Sequence, residues 1–379
     1  MDIKKILKEM IARGASDLHL KVATPPCFRI NGSLVFADYE SPTTQDMAAV
    51  AQQILAPGQR ENFEASKEID FAFGLPGIAR FRANFYVQRG SVAMVFRHVP
   101  VEIQTPDQLG LPPVVKELAL RPRGLILVTG TVGSGKSTTL SSLVDIINRE
   151  SARHVITIED PIEFLHKDRK SIISQREIGC DTGSYAEALK HVLRQDPDVI
   201  LIGEIRDAES MKVALTAADT GHLVLSTMHT TDATQTISRI ISFFPPHQQQ
   251  EIRYLVASTM QAVISQRLVA DADGLRRYPA CEVMINTGTI REYIRDAEKT
   301  VMIRQAIQEG FIQYQMQTFD QSLMQLYKEN KITLDAATRA SSNPHEFKLR
   351  VKGIQASSDT TWDRFEDATK DCEQELQKI

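Results

Sequence analysis

The stretch from Gly124 to Thr139, GLILVTGTVGSGKSTT, constrains this chain more than any other. Leu125 to Val128 is a short, wholly apolar run of β-formers and reads as a buried parallel strand. Gly130, Thr131, Val132, Gly133, Ser134, Gly135, Lys136 and Ser137 then fit G-x-x-x-x-G-K-[ST]. From Ser137 and Thr138 onward, Leu140, Leu143, Val144 and Ile147 recur at helical spacing. Strand, glycine loop and helix together make a phosphate site. Glycines let backbone N–H groups turn inward on phosphate oxygens, and the helix N-terminus adds positive potential. Lys136 is expected to reach the β- and γ-phosphates, and the Ser137 hydroxyl to ligate Mg²⁺. The bland alternative is a glycine turn ahead of a core helix, but both flanks fit the phosphate loop.

Composition limits what surrounds this loop. A length of 379 residues suggests two or three domains. Apolar content of 42% and charged content of 24% fit a soluble globular chain. The net charge is −4 with no long basic block, so nucleic acid is not an expected partner. No apolar run approaches the roughly 18 residues of a membrane span. The first ten residues, MDIKKILKEM, lack the apolar core of a signal peptide. Cys27, Cys180, Cys281 and Cys372 are far apart with no CxxC pair, which argues against zinc and fits a reducing cytoplasm.

The first hundred residues read as a smaller α+β module. Ile3, Ile6, Leu7, Met10 and Ile11 predict an amphipathic helix over 2–13, ended by Gly14. Strands are expected near Ser16–Leu20 and Phe28–Ile30. Asn31-Gly32 is a hairpin turn signal before a returning strand, Ser33–Phe36. A helix over 44–55 follows, then strands over 69–73, 78–87 and 92–98, with Gly77 and Arg89-Gly90 as breaks. Arg80, Arg82, Arg89 and Arg97 form an arginine row, with Arg80 and Arg82 on one face by the period of two. Such a row is either a solvated sheet face or a set of forks for phosphates or carboxylates of another domain or subunit. Pro100 to Arg123 reads as a proline-rich linker crossed by one short helix, Val114–Leu120.

The second module carries the remaining chemistry. A strand over 154–158 ends in Glu159-Asp160-Pro161-Ile162-Glu163, at the carboxyl edge where open α/β sheets bind ligands. Glu163 is the first candidate to polarise a water and Glu159 the second. A strand over 199–202 delivers Glu204, expected to act through the metal. Arg206 and Asp207 are read as the start of the next helix, with Asp207 as its cap. A strand over 223–227 is preceded by His222 and followed by His229. His229 is the candidate γ-phosphate sensor and His222 the weaker one. Helices are expected over 237–244, 251–268 and 333–340, and a strand over 280–285. The acidic tail after Gly353 places Trp362, Phe365, Cys372, Leu376 and Ile379 on one possible helix face.

These blocks together resemble a known family. SDLHL (Ser16–Leu20), the phosphate loop, IEDPIE (Ile158–Glu163), RQDPDVILIGEIRD (Arg194–Asp207) and GHLVLSTMHT (Gly221–Thr230) are similar to the type II/IV secretion ATPases. Within them the chain resembles the type IV pilus retraction ATPases, the PilT/PilU family, over nearly its whole length. The resemblance implies an α/β fold: a RecA-like P-loop ATPase domain over 124–354 with a helical C-terminal part. It would be preceded by a PAS-like α+β domain over 1–99 and a linker over 100–123, and followed by an acidic tail over 355–379. It implies a cytoplasmic homo-hexamer that uses ATP and Mg²⁺ at the inner-membrane base of the pilus machine. Its partners there would be the platform protein and a paralogous retraction ATPase. Glu163 would be catalytic, Glu204 would end the Walker B strand, and His222 and His229 would form the His box. Arg82 and Arg97 would meet the nucleotide. An extra N-terminal domain and a four-cysteine motif, expected of extension and type II secretion ATPases, are not seen, which favours retraction. The block Thr289–Asp296 only partly matches the retraction signature AIRNLIRE. Principal motor and accessory, low-turnover paralogue therefore both stay open.

Overall fold

A computed structural model describes residues 1–352 apart from 31, 76, 77, 101 and 275. The tail over 355–379, the Asn31 turn position and the Gly77 break lie outside the described residues. The chain divides into two compact units. Met1–Glu102 with Pro161–His166 forms the first, and the rest forms the second.

In the first unit the helix Ile3–Ala12 begins at Asp2, whose carboxylate accepts the Lys5 N–H at 3.2 Å. It buries Ile3, Ile6, Leu7 and Met10, the face that the spacing predicts. Six antiparallel strands follow: β1 (Asp17–Lys21), β2 (Thr24–Ile30), β3 (Ser33–Phe36), β4 (Glu68–Leu75), β5 (Ala79–Gln88) and β6 (Ser91–Val99). Their order is β3-β2-β1-β6-β5-β4. Alternation along β5 buries Phe81, Ala83 and Phe85 and turns Arg80 and Arg82 to the other face. Phe85 meets Phe71 edge-on at 5.1 Å and Phe96 at 5.6 Å. The helix Pro57–Ser66, which the sequence reading left out, adds Phe63 to this core. The segment Pro161–His166 returns to this unit, where the Leu165 N–H donates to the Pro100 carbonyl at 3.3 Å.

The second unit holds β7 (Gly124–Thr129), β8 (His154–Glu159), β9 (Ile172–Glu177), β10 (Val199–Ile202), β11 (Leu223–Met228), β12 (Met260–Ala270) and β13 (Arg277–Ile285). The order is β13-β12-β7-β11-β10-β8-β9. All neighbours are parallel except the β12–β13 pair. β7, β10 and β11 are buried at every residue, because helices cover both faces. This is the RecA-like sheet that the motifs imply, with the carboxyl ends of its parallel strands on one edge.

One expectation is overturned. The helix expected over 251–268 stops at Thr259, and Met260–Ala270 is strand β12. Met260, Val263 and Ile264 do point inward, but β12 is buried on both faces over 262–266, and such a strand mimics helical spacing. The backbone groups of this segment instead pair with β7 on one side and β13 on the other. Strand β9 and the helices Pro106–Leu109 and Pro344–Val351 also go beyond the sequence reading. Phe347 of the last helix packs with Phe319, Leu323 and Val269 in a satellite core over β12 and β13.

Candidate nucleotide site

The loop between β7 and the helix Lys136–Glu150 needs its glycines. Gly130 has φ +146°, and a Cβ there would lie 2.5 Å from both the Gln266 carbonyl and Ser134 Oγ. Gly133 and Gly135 are also left-handed, at φ +78° and +91°. The chain thereby wraps round the Lys136 side chain. Its ammonium donates to the Gly130 carbonyl at 2.9 Å and the Thr131 carbonyl at 3.0 Å. Ser137 and Thr138 occupy the first turn of the helix, and Val132 stands exposed at the loop tip. Ser134 Oγ and Gln266 Oε1 are buried without a hydrogen-bond partner. Of the two, the Ser134 hydroxyl beside a glycine loop fits a polyphosphate ligand, whose oxygens accept from it.

The carboxyl edge of the sheet brings two of the predicted acids together with a histidine. Glu204 follows β10, and His229 follows β11, the neighbouring strand. His229 Nε2 lies 2.9 Å from Glu204 Oε1, and Arg206 donates to Glu204 Oε2 at 2.7 Å. Burial works against the Glu204 charge, but the Arg206 and His229 contacts outweigh it and hold the carboxyl below its ordinary range. Glu159 ends β8 and accepts from Thr157 Oγ1 at 2.7 Å and Gln175 Nε2 at 3.1 Å. Asp207 caps the helix Ala208–Asp219 through the Ser210 N–H at 2.8 Å, as predicted. Arg206 stands directly before that cap, and its side chain in addition holds Glu204.

His222 is not brought to this edge. It precedes β11, and the Gly124 N–H that opens β7 donates to its carbonyl. Its ring meets the Ala217 carbonyl at 3.0 Å and Thr220 Oγ1 at 3.2 Å. A six-residue strand separates it from His229, which is about 20 Å of rise. Within this chain it serves a helix end, not the phosphate loop. Glu163, Arg82 and Arg97 belong to the first unit. There Arg82 sits opposite Arg97 across β5 and β6, and Arg97 Nε donates to Asp17 at 2.8 Å. The Arg97 side chain is still 61% exposed, so the rest of its fork is open to an anion.

Three residues of the site escaped the sequence reading. Tyr185 places its hydroxyl 2.8 Å from where a Gly203 Cβ would stand, and burial and then the Asp160, Glu159 and Glu204 charges push its phenol up. Glu282 of β13 is fully buried, accepts the Ala233 N–H at 2.9 Å, and is pushed up to about 7 by burial. It anchors the helix that follows the His229 loop. A lone acid in the run ACEVMI was the available signal. Gln266 had none, since its partner Thr139 is 127 residues away.

A cavity of about 270 Å³ lies on the Thr138 side of the loop, walled by Leu109, Leu111, Leu268 and Pro279 with Arg277 at its rim. It suits an aromatic base. Among the described residues no group of three metal-ligating side chains is assembled. Mg²⁺ at such loops takes most of its ligands from phosphate and water, so a site of this kind needs few protein ligands. No helix among the described residues is long and apolar enough to cross a membrane.

Comparison with known proteins agrees with this geometry. The profile of the "Type II/IV secretion system protein" family matches residues 1–364. The type IV pilus retraction ATPase PilT of Pseudomonas aeruginosa is 42% identical over 347 residues, 92% of this chain and 100% of that one. The type IV pilus ATPase PilU of the same organism is 36% identical over 363 residues, covering 95% and 94%. A crystal structure of the pilus retraction motor PilT with bound ADP superposes with a TM-score of 0.85 at 46% identity, covering 91% of this chain and 98% of that one. The chain belongs to the type II/IV secretion system protein family.

Proposed function

We propose that this chain is an ATP-hydrolysing motor that works as a homo-hexamer and drives retraction of type IV pili. The observation that carries this is the phosphate loop wrapped on Lys136 beside the Glu204–His229 pair. Relatives that cover nearly the whole chain and are named retraction ATPases support the direction of work. Lys136 and the loop amides neutralise the phosphates. Ser137 and Glu204 would hold Mg²⁺, which would supply charge screening at the phosphate oxygens. Glu163 orients the attacking water, with Glu159 as the alternative. His229 donates to the γ-phosphate while Glu204 fixes its ring. Arg82 and Arg97 bring cationic forks from the first unit, so nucleotide state biases how that unit moves. The motor stands at the inner-membrane base of the pilus machine, against its platform protein.

Lys136→Ala is expected to abolish phosphate release from ATP. Glu163→Gln should bind a fluorescent ATP analogue normally and hydrolyse ATP at least about a hundredfold more slowly. Full turnover in Glu163→Gln would move the role to Glu159. A knockout strain should carry excess surface pili; a bald strain would point to extension or secretion instead. A second reading, an accessory subunit of low turnover, is favoured by the PilU match and by the block over 289–296. There the helix Gly288–Arg295 keeps Ile290 and Ile294 buried, while the rest of the signature has diverged. Negligible turnover in the pure ring would select it.

A further inference from the structure

The two cavities beside the phosphate loop differ in chemistry. The one opposite the apolar base cavity, about 290 Å³, is lined by Gly130, Thr131, Thr231, Arg267, Arg339 and Ser341, with Gln266 and Ala340. It abuts the terminal-phosphate end of the loop, because the Lys136 ammonium is bonded to the carbonyls of Gly130 and Thr131. Its lining holds two guanidinium groups and three hydroxyls; Ser341 donates to Asp320 and Thr231 to Gln235 and Asp232, which leaves the Thr131 hydroxyl to donate. That set suits a tetrahedral oxyanion.

The two arginines are held differently. Arg267 is fixed: it donates to the Ala340 carbonyl at 2.5 Å and stacks 3.8 Å above the Phe319 ring. Burial works against its charge, with Glu282, Asp320 and Asp232 as the compensating acids. Arg339 instead reaches from the helix Leu334–Ala340. Its ion pair with Asp335, at 2.7 Å, leaves both side chains 74% exposed, and such a pair is easily exchanged for an anion.

Gln266 adds an independent indication. It is 2% exposed and lies between the two cavities, lining both. Its Nε2 donates to Thr139 Oγ1 at 2.9 Å, while Oε1 has no partner. A buried acceptor calls for a hydrogen-bond donor, and a P–OH is one. The ionised terminal phosphate of a metal-bound nucleotide offers none. Free inorganic phosphate keeps at least one P–OH at neutral pH.

We propose that this cavity is an exit site for inorganic phosphate, occupied after hydrolysis and before release. Arg267, Arg339 and the Thr131 hydroxyl hold its oxygens, and Gln266 accepts its P–OH. The proposal rests on the ATPase reading. While phosphate stays, its charge remains beside Lys136, and the loop does not reset for the next ATP.

The test is equilibrium dialysis of radiolabelled inorganic phosphate against the full-length, ADP-loaded protein, with a fluorescent ADP analogue titrated in parallel. Arg339→Glu should weaken phosphate binding by about tenfold or more, the worth of one charge-assisted hydrogen bond. ADP affinity should stay within about twofold of the parent, which also shows that the variant is folded. Arg339→Lys should recover most of the phosphate affinity. Unchanged phosphate binding in Arg339→Glu, or a parent that binds ADP but no phosphate, overturns the exit site. Equal losses of phosphate and ADP affinity also overturn it, since Arg339 would then read the nucleotide. A parent that binds phosphate and ADP yet never hydrolyses ATP refutes the ATPase reading instead.

Discussion

Gly203 sits where the β10 strand turns toward Glu204, and its hydrogen in place of a methyl is a steric requirement. A Cβ there would stand 2.8 Å from the Tyr185 hydroxyl, 3.2 Å from the Ile158 carbonyl and 3.5 Å from the Glu159 Cα. Its φ lies outside the left-handed region, so the backbone itself accepts alanine. Gly203→Ala therefore probes one contact in particular. The tyrosine ring is half-buried and must swing or push the strand end aside, an overpacking cost of about 1–3 kcal/mol. For a unit of this size that is a fall in Tm of roughly 2–10 °C. Tyr185→Phe alone should be nearly neutral, since its hydroxyl makes no hydrogen bond among the described residues. The double variant should recover more than half of the loss, a coupling of about 1 kcal/mol. The assay is thermal unfolding of the four proteins, read by circular dichroism, with turnover measured alongside. Strictly additive losses would refute the steric reasoning. A large loss from Tyr185→Phe alone would show that the hydroxyl has work of its own among Glu159, Asp160 and Glu204.

Other outcomes follow from single contacts. Burial raises the folded-state pKa of Glu282 from 4.5 to about 7, so this group favours the folded state below pH 4.5 and that contribution is lost as pH rises to about 7. Glu282→Gln should flatten the fall in stability across that window, by up to about 3 kcal/mol; parallel stability–pH curves would contradict the assignment. Gly130→Ala should lose nucleotide binding outright, because the Gln266 carbonyl at 2.5 Å is backbone and cannot yield; retained binding of a fluorescent ADP analogue would count against the loop geometry. Phe85→Ala should destabilise the first unit by about 3–5 kcal/mol, as it removes the ring between Phe63, Phe71 and Phe96. Denaturant unfolding would show an earlier transition, and an unchanged midpoint would contradict the packing.

What the sequence disclosed follows the range of the interactions. The phosphate loop was legible because strand, glycines, Lys136 and helix are contiguous and each has a local signature. β10 and its terminal Glu204 were legible for the same reason. The β12 segment was not: its identity as a strand depends on a free slot between β7 and β13, and its apolar spacing alone suits a helix. His222 and His229 are seven positions apart in the sequence, yet an intervening strand sends them to opposite edges of the sheet. Arg97 looked like a free cation until the fold set Asp17 beside it from 80 residues away. The Arg206–Glu204 pair was within reach of sequence reasoning, but helix-start chemistry gave Arg206 a simpler role. Nothing local marks Pro161–His166 as part of the first unit; only tertiary contacts decide that.

The proposed function sets this nucleotide site to work in a ring of six copies of the chain. It is tested most directly by turnover per chain measured against protein concentration, with molar mass from light scattering on the same samples. Turnover is expected to rise as a six-subunit species forms and to be lost with Lys136→Ala. Full turnover in a monomer would contradict it.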